Sequence, residues 1–157
     1  MITKEQVLNS QKEWGAGVVK IGSLMNNRSA CENFASEFLD KLYVFETGPV
    51  LFKPTKCEFE QFRPNKAQAL SYFIAGDNRA CQEDHGFAIA PWTAVKFENS
   101  DLILEESRAI AMGNYYFTAL DGTEAKVEYT FAYKHVDGHL KIDVHHSSFP
   151  YSHGVPA

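Results

Sequence analysis

The sequence predicts an α+β domain, with helices first and an antiparallel sheet after them. Over the first half, apolar residues recur at three- and four-residue spacing behind helix-capping pairs. Over the second half, apolar and polar residues alternate in runs joined by Asp-Gly turns. Size sets the scale: 157 residues, 45% hydrophobic and 13% aromatic, supply one core and not comfortably two. One domain over 1–157 is expected.

Thr3 with Gln6 makes a capping box at the start of TKEQVLNSQKEWGAGVVKIGSLM, and Val7, Trp14, Val18, Ile21 and Met25 share one helical face. Gly15 and Gly17 weaken that helix locally. Ser29 with Glu32 opens a second helix, SACENFASEFLDKLYVF. Its Phe34, Phe38, Leu42 and Phe45 keep the period until Gly48 and Pro49 stop it. VLFKPTKCEFEQF reads as short extended pieces broken at Pro54, and NKAQALSYFIAG as a short helix from Asn65 to Gly76. The polar loop GDNRACQEDHG follows, and the pattern assigns no role to its Cys81 or His85.

Four strand-like runs complete the chain: APWTAVKFEN, then DLILEE leading into RAIAMGNYYFTAL, then EAKVEYTFAYKHV, then HLKIDVHHSS. Asp121-Gly122 and Asp137-Gly138 mark hairpins, because such turns need positive φ. An antiparallel sheet covered by helices on one face leaves the other to water or to a second subunit.

Charge and cysteine content exclude several functions. The net charge of −5 comes from 20 acidic against 15 basic residues with no basic cluster, so the footprint of a nucleic-acid binder is missing. Cys31, Cys57 and Cys81 are odd in number, far apart and without a CxxC pair, which suits a reducing compartment better than a disulfide framework or a zinc knuckle. No apolar run approaches the roughly 20 residues of a membrane span, and MITKEQVLNS lacks the pattern of a secretory leader. The expectation is a cytoplasmic chain, or a mature domain cut from a longer one.

The last strand holds the chemistry. In KIDVHHSSFPY, strict alternation puts Leu140, Ile142, Val144, His146 and Ser148 on one face and Lys141, Asp143, His145 and Ser147 on the other. Val127, Tyr129, Phe131 and Tyr133 form the matching apolar face of the strand before it. His146 and Ser148 are therefore expected to enter the interior, and His145 and Ser147 to lie at a surface or an interface. Unpaired polar groups inside would cost about 1–3 kcal/mol each, so the inward pair must find partners or line a pocket. Six histidines also leave a metal site open, although His135 with His139 and His145 with His146 are poorly placed to chelate one ion.

HHSSFPY after KVEYTFAY, with GNYYFTALDG before it, resembles the association-domain branch of the nuclear transport factor 2-like superfamily. The resemblance is stronger to the cyanobacterial and algal iota-class carbonic anhydrases of that branch. It runs through VLFKPTK (50–56), ALSYF (69–73), GFAIAPWTAVKFEN (86–99) and AIAMGNYYFT (109–118) and covers nearly the whole chain. It implies a cone of helices on a curved antiparallel sheet, a homodimer, and a pocket inside the cone. It also implies reversible hydration of carbon dioxide to bicarbonate without metal or cofactor, in the cytoplasm or a plastid stroma.

Carried over by motif, the catalytic residues would be Thr55, Tyr72, His146 and Ser148, with Thr55, Tyr72 and Ser148 also binding substrate. His146 would act as general base, directly or through its hydroxyl neighbours, an effect typically worth about 10²–10⁴-fold. Beside a small-molecule isomerase or hydrolase of the wider superfamily, which the lack of an inward carboxylate on the last two strands disfavours, two alternatives stand. One is a non-catalytic association module, because fold alone does not establish catalysis. The other is a metal-dependent carbonic anhydrase.

Overall fold

The computed structural model describes residues 1–153; residues 154–157, the end of the expected 1–157 domain, lie outside the described residues. The first helix, α1 (Lys4–Ser23), starts at Thr3 through both hydrogen bonds of the expected capping box, and it buries Val7, Trp14, Val18 and Ile21. Met25 lies beyond its end and is exposed. Gly17 has a packing role: a Cβ there would lie 2.4 Å from the Phe38 ring, so its absence lets α1 close onto α2.

Helix α2 (Arg28–Leu42) is capped by Asn27, whose side chain accepts from the Ala30 amide, and not by the expected Ser29. The helix also ends sooner than its apolar period suggests. Tyr43 turns extended and makes a parallel bridge to Ile142, and Val44 donates its amide to the Ile142 carbonyl. Pairing with the sheet outcompetes another helical turn. Helix α3 (Lys66–Ile74) starts at Asn65 and buries Tyr72 and Phe73; a single 3₁₀ turn, Phe87–Ile89, follows the polar loop.

The strands are β1 (Leu51–Lys53), β2 (Trp92–Leu104), β3 (Arg108–Ala119), β4 (Glu124–Val136) and β5 (His139–Ser148), in sheet order β1-β5-β4-β3-β2. Pairing is antiparallel except for β1, which adds to the β5 edge in parallel. The run DLIL belongs to β2 and does not lead into β3. A turn in which Glu105 donates its amide to the Arg108 carbonyl separates the two strands. Asp137 and Gly138 both have positive φ, as a tight hairpin requires.

Two irregularities shape the sheet. In β2, Ser100 has no partner, since Asn99 pairs with Gly113 and Asp101 with Met112. Gly113 faces that bulge so closely that a Cβ would lie 2.1 Å from the Glu98 carbonyl oxygen. In β5, Ile142 pairs with Tyr133 and Val144 with Ala132, leaving Asp143 as the extra residue. Its carboxylate grips the Arg108 guanidinium through two 2.8 Å bonds, and Val144 lines the groove on the outer face of the sheet.

This bulge advances the alternation by one residue. Leu140 and Ile142 face the helices as expected, but beyond Asp143 the inward residues are His145 and Ser147, each 2% exposed. His146 and Ser148 instead line the outer groove with Val144. The expected inward placement of His146 and Ser148 is thus corrected by one position, and the cause is the unpaired Asp143. On β4, which pairs with β3 without a register shift along this stretch, Val127, Tyr129, Phe131 and Tyr133 are buried as read. A Gly113→Ala substitution should destabilise the fold by about 1–3 kcal/mol, because the new methyl meets backbone and not a yielding side chain; the urea unfolding midpoint measures the loss.

Candidate active site

The interior beside β5 is ringed by aromatic side chains, and a polar chain runs through it. The His145 ring stacks on Phe52 at 4.7 Å and meets Phe131 edge-on at 4.2 Å. Phe52 takes this position because β1 pairs with β5 in a register that sets Phe52 against His145. Both ring nitrogens are engaged, Nδ1 with Tyr43 Oη at 2.9 Å and Nε2 with Tyr115 Oη at 3.1 Å. Tyr43 Oη also accepts the Trp14 indole hydrogen at 2.9 Å.

From Tyr115 the chain runs to the Ser147 hydroxyl at 2.6 Å, and from Ser147 to the Thr55 hydroxyl, again at 2.6 Å. Thr55 arrives by the same strand geometry, two residues past β1. Tyr72 completes the group from α3, its phenol oxygen accepting the Lys56 amide at 3.3 Å. These groups open on a cavity of about 50 Å³, against the roughly 10–15 Å³ that one water needs. Its walls are Trp14, Phe52, Phe73, Phe87, Trp92 and Phe117. Lys56, Tyr72, Phe87 and Trp92 also border an adjoining surface hollow with His85, so the cavity's outer side lies there.

Burial sets the electrostatics. Desolvation raises the phenols of Tyr43, Tyr72 and Tyr115 above their ordinary range, despite hydrogen bonds that favour their ionised forms. Desolvation also lowers His145 well below 6.5, with a smaller contribution from neighbouring His146. Each of these groups is driven toward its neutral form.

The loop that the sequence left without a role braces the cavity. Arg63 and Asp84, 0% and 3% exposed, form a two-pronged ion pair at 2.7 and 2.8 Å, and Ser71 donates its hydroxyl to the same carboxylate at 2.5 Å. Glu83 accepts the amides of Glu58, Phe59 and Glu60, which hold its carboxyl below the usual range. Residues 56–63 and 81–86 are thereby tied together over the Thr55 and Tyr72 end of the cavity. Cys81 is buried beneath them, its thiol pushed up to about 12 by burial.

Of the four residues expected at the site, Thr55 and Tyr72 reach the cavity, while His146 and Ser148 lie across the sheet. Their neighbours His145 and Ser147 take those places. Sequence reasoning also missed Tyr115, Tyr43 and Trp14 as polar participants. Tyr115 carried a readable signal, since Ala109, Ala111, Tyr115 and Phe117 alternate inward along β3. Among the described residues, no three His, Cys, Asp or Glu side chains gather as a metal-ion site would require, and no helix is long and apolar enough to cross a membrane.

Comparison with known proteins identifies the family. The profile of a family described as metal-independent carbonic anhydrase matches residues 5–149. A metal-independent carbonic anhydrase from Nostoc sp. (strain PCC 7120 / SAG 25.82 / UTEX 2576) is 37% identical over 154 residues, covering 96% of this chain and 75% of the relative. The crystal structure of an iota-carbonic anhydrase from a cyanobacterium, complexed with bicarbonate, superposes with a TM-score of 0.92 at 36% identity. That match covers 96% of this chain and 94% of the other.

A calcium/calmodulin dependent protein kinase II association domain structure from Xanthomonas campestris shares the fold at 21% identity, with a TM-score of 0.64 and coverage of 96% and 89%. The architecture is the nuclear transport factor 2-like α+β fold. With nearly the full described length matched by the profile and a 37% identical relative, the chain belongs to the metal-independent carbonic anhydrase family.

Proposed function

We propose that this chain, acting as one domain, interconverts carbon dioxide and bicarbonate in the cavity beside β5, with Thr55, Ser147 and Tyr72 touching the reacting oxygens. The observation that carries this reading is a continuous run of hydroxyl groups, from Tyr115 through Ser147 to Thr55, opening on an otherwise apolar cavity. Carbon dioxide is small, linear and uncharged, and suits walls of aromatic rings. As water attacks its carbon, negative charge grows on its oxygens, and fixed hydroxyl donors stabilise that charge without reorganising. Lys56 at the cavity's outer side would favour the arrival and departure of a bicarbonate anion.

The proton is the harder problem. A histidine acting as base here would carry a positive charge inside a ring of aromatic side chains, which its burial opposes. We therefore assign proton exchange to the Thr55 hydroxyl, which can accept one hydrogen while releasing another, with Ser147 as its hydrogen-bond partner. His145 supports them from behind through Tyr115.

A homodimer is proposed through the outer face of the sheet, where Ile103 and Met112 are exposed. A reducing, cytoplasmic or plastid-stromal setting suits three unpaired cysteines.

Stopped-flow indicator assays of carbon dioxide hydration on chelator-treated protein test the site. Ser147→Ala should lower kcat/KM by on the order of 10²-fold, because the Thr55 hydroxyl that faces the developing charge loses the partner that orients it. Ser148→Ala and His146→Ala should stay within about twofold of the parent, the usual scale of surface substitutions. Equal losses from Ser148→Ala and Ser147→Ala would refute the assignment.

Stability should respond to His145 as well. The native ring stays neutral below 6.5 while the unfolded chain takes up a proton there. The unfolding free energy should therefore be undiminished above about pH 6.5 and fall on acidification by up to about 1.4 kcal/mol per pH unit from this group. Denaturant titrations from pH 7.5 to 5 on the parent and on His145→Gln should differ by that slope.

A further inference from the structure

The polar chain behind the cavity has a direction, and one residue sets it. The Trp14 indole nitrogen can only donate, and its hydrogen goes to Tyr43 Oη at 2.9 Å. The Tyr43 phenol carries one hydrogen of its own, and its remaining partner is His145 Nδ1, also at 2.9 Å. Tyr43 therefore donates to Nδ1, which must be unprotonated. A neutral imidazole has a single N–H, which now falls on Nε2 and points at Tyr115 Oη, 3.1 Å away. Tyr115 in turn donates to Ser147 and Ser147 to Thr55, both across 2.6 Å. The Thr55 hydrogen is left for the cavity end of the chain, which it shares with the Tyr72 phenol.

The opposite tautomer fails at Tyr43. Its oxygen would receive both the indole and the Nδ1 hydrogens, and its own hydrogen would have no acceptor at a residue that is 0% exposed. That state is disfavoured by roughly 10- to 100-fold.

We infer that Trp14 and Tyr43 are positioning residues that hold His145 as its Nε2–H tautomer and turn every hydroxyl hydrogen of the chain toward the reacting oxygens. This rests on the carbon dioxide reading above and settles where the proton goes. With Nε2 already carrying hydrogen, the chain has no vacancy to draw the water's proton inward. The oxygen of the attacking water forms its bond to the carbon of carbon dioxide and passes one hydrogen to Thr55 Oγ1. Thr55 gives its own hydrogen to a carbon dioxide oxygen, whose double bond to carbon opens. The product is carbonic acid, Thr55 is restored, and loss of a proton to solvent yields bicarbonate. The charge that develops on the oxygens is cancelled within the step, and no ion is left inside the aromatic cavity.

Two-bond ¹H–¹⁵N spectra of ring-labelled protein at pH 7.5, with His145 assigned through the backbone, report the tautomer directly. The expected result is a protonated Nε2 and an unprotonated Nδ1. In Tyr43→Phe, which keeps the ring and removes the hydroxyl, the two tautomers should mix. In the same variant kcat for hydration should fall by roughly tenfold with KM within about twofold. A parent spectrum with Nδ1 protonated overturns the inference, as does a Tyr43→Phe protein whose ring resonances and kcat match the parent. The parent spectrum decides the tautomer even where a variant does not fold. An Nε2–H spectrum in a protein without hydration activity would support the orientation of the chain and strike down the carbon dioxide reading instead.

Discussion

The unpaired Asp143 in β5 decides what the interior of this protein contains. A strand without it would continue its alternation and offer His146 and Ser148 to the helices. With it, two consecutive residues lie on the outer side, and His145 and Ser147 enter in their place. The Asp143 carboxylate is anchored on Arg108 of β3 by two hydrogen bonds, so the irregularity is braced from the neighbouring part of the sheet. The rest of the site follows from that displacement. Phe52 stacks on His145 because β1 reads its register from β5, and Thr55 meets Ser147 because the chain leaves β1 at that point.

An aromatic interior imposes a second condition. Polar atoms taken out of water there must be paired, and ionised ones are costly even when paired. The protein meets this by linking one indole, two phenols, one imidazole and two hydroxyls in series, each the partner of the next. Pairing of this kind holds the side chains in place, while burial suppresses their ionisation. A zinc site obtains a reactive hydroxide by concentrating charge; burial around His145 works against a charge there.

Residue type and spacing at the site were legible in the sequence, but the numbering was not. HHSS offers one histidine and one serine two apart to either face, whichever phase the strand adopts. Alternation could therefore announce an inward His/Ser pair without saying which one. The deciding residue, an aspartate within KIDVHH, looks in one dimension like any outward polar position. On β4, where Val127 to Tyr133 pair with β3 without a shift, the same reasoning holds residue by residue. Thr55 and Tyr72 reached the site through family resemblance, since nothing in FKPTK or SYF shows on its own which cavity it will meet. Tyr43 was hidden for another reason: it lies one residue beyond α2, in a stretch whose period predicts more helix. Only the bridge to Ile142 turns it inward.

The brace over the cavity has a consequence for traffic. Arg63 and Asp84 are buried as an ion pair, and separating them would strand two charges away from water. With Glu83 holding three further amides, the covering loops form a fixed roof and not a hinged one. Many enzymes close a flap over substrate and then wait for it to reopen. A three-atom gas gives a flap little to hold, and a rigid doorway makes no such demand. On the proposed reading, entry and exit would then follow diffusion past a braced rim, with no reopening step to wait for.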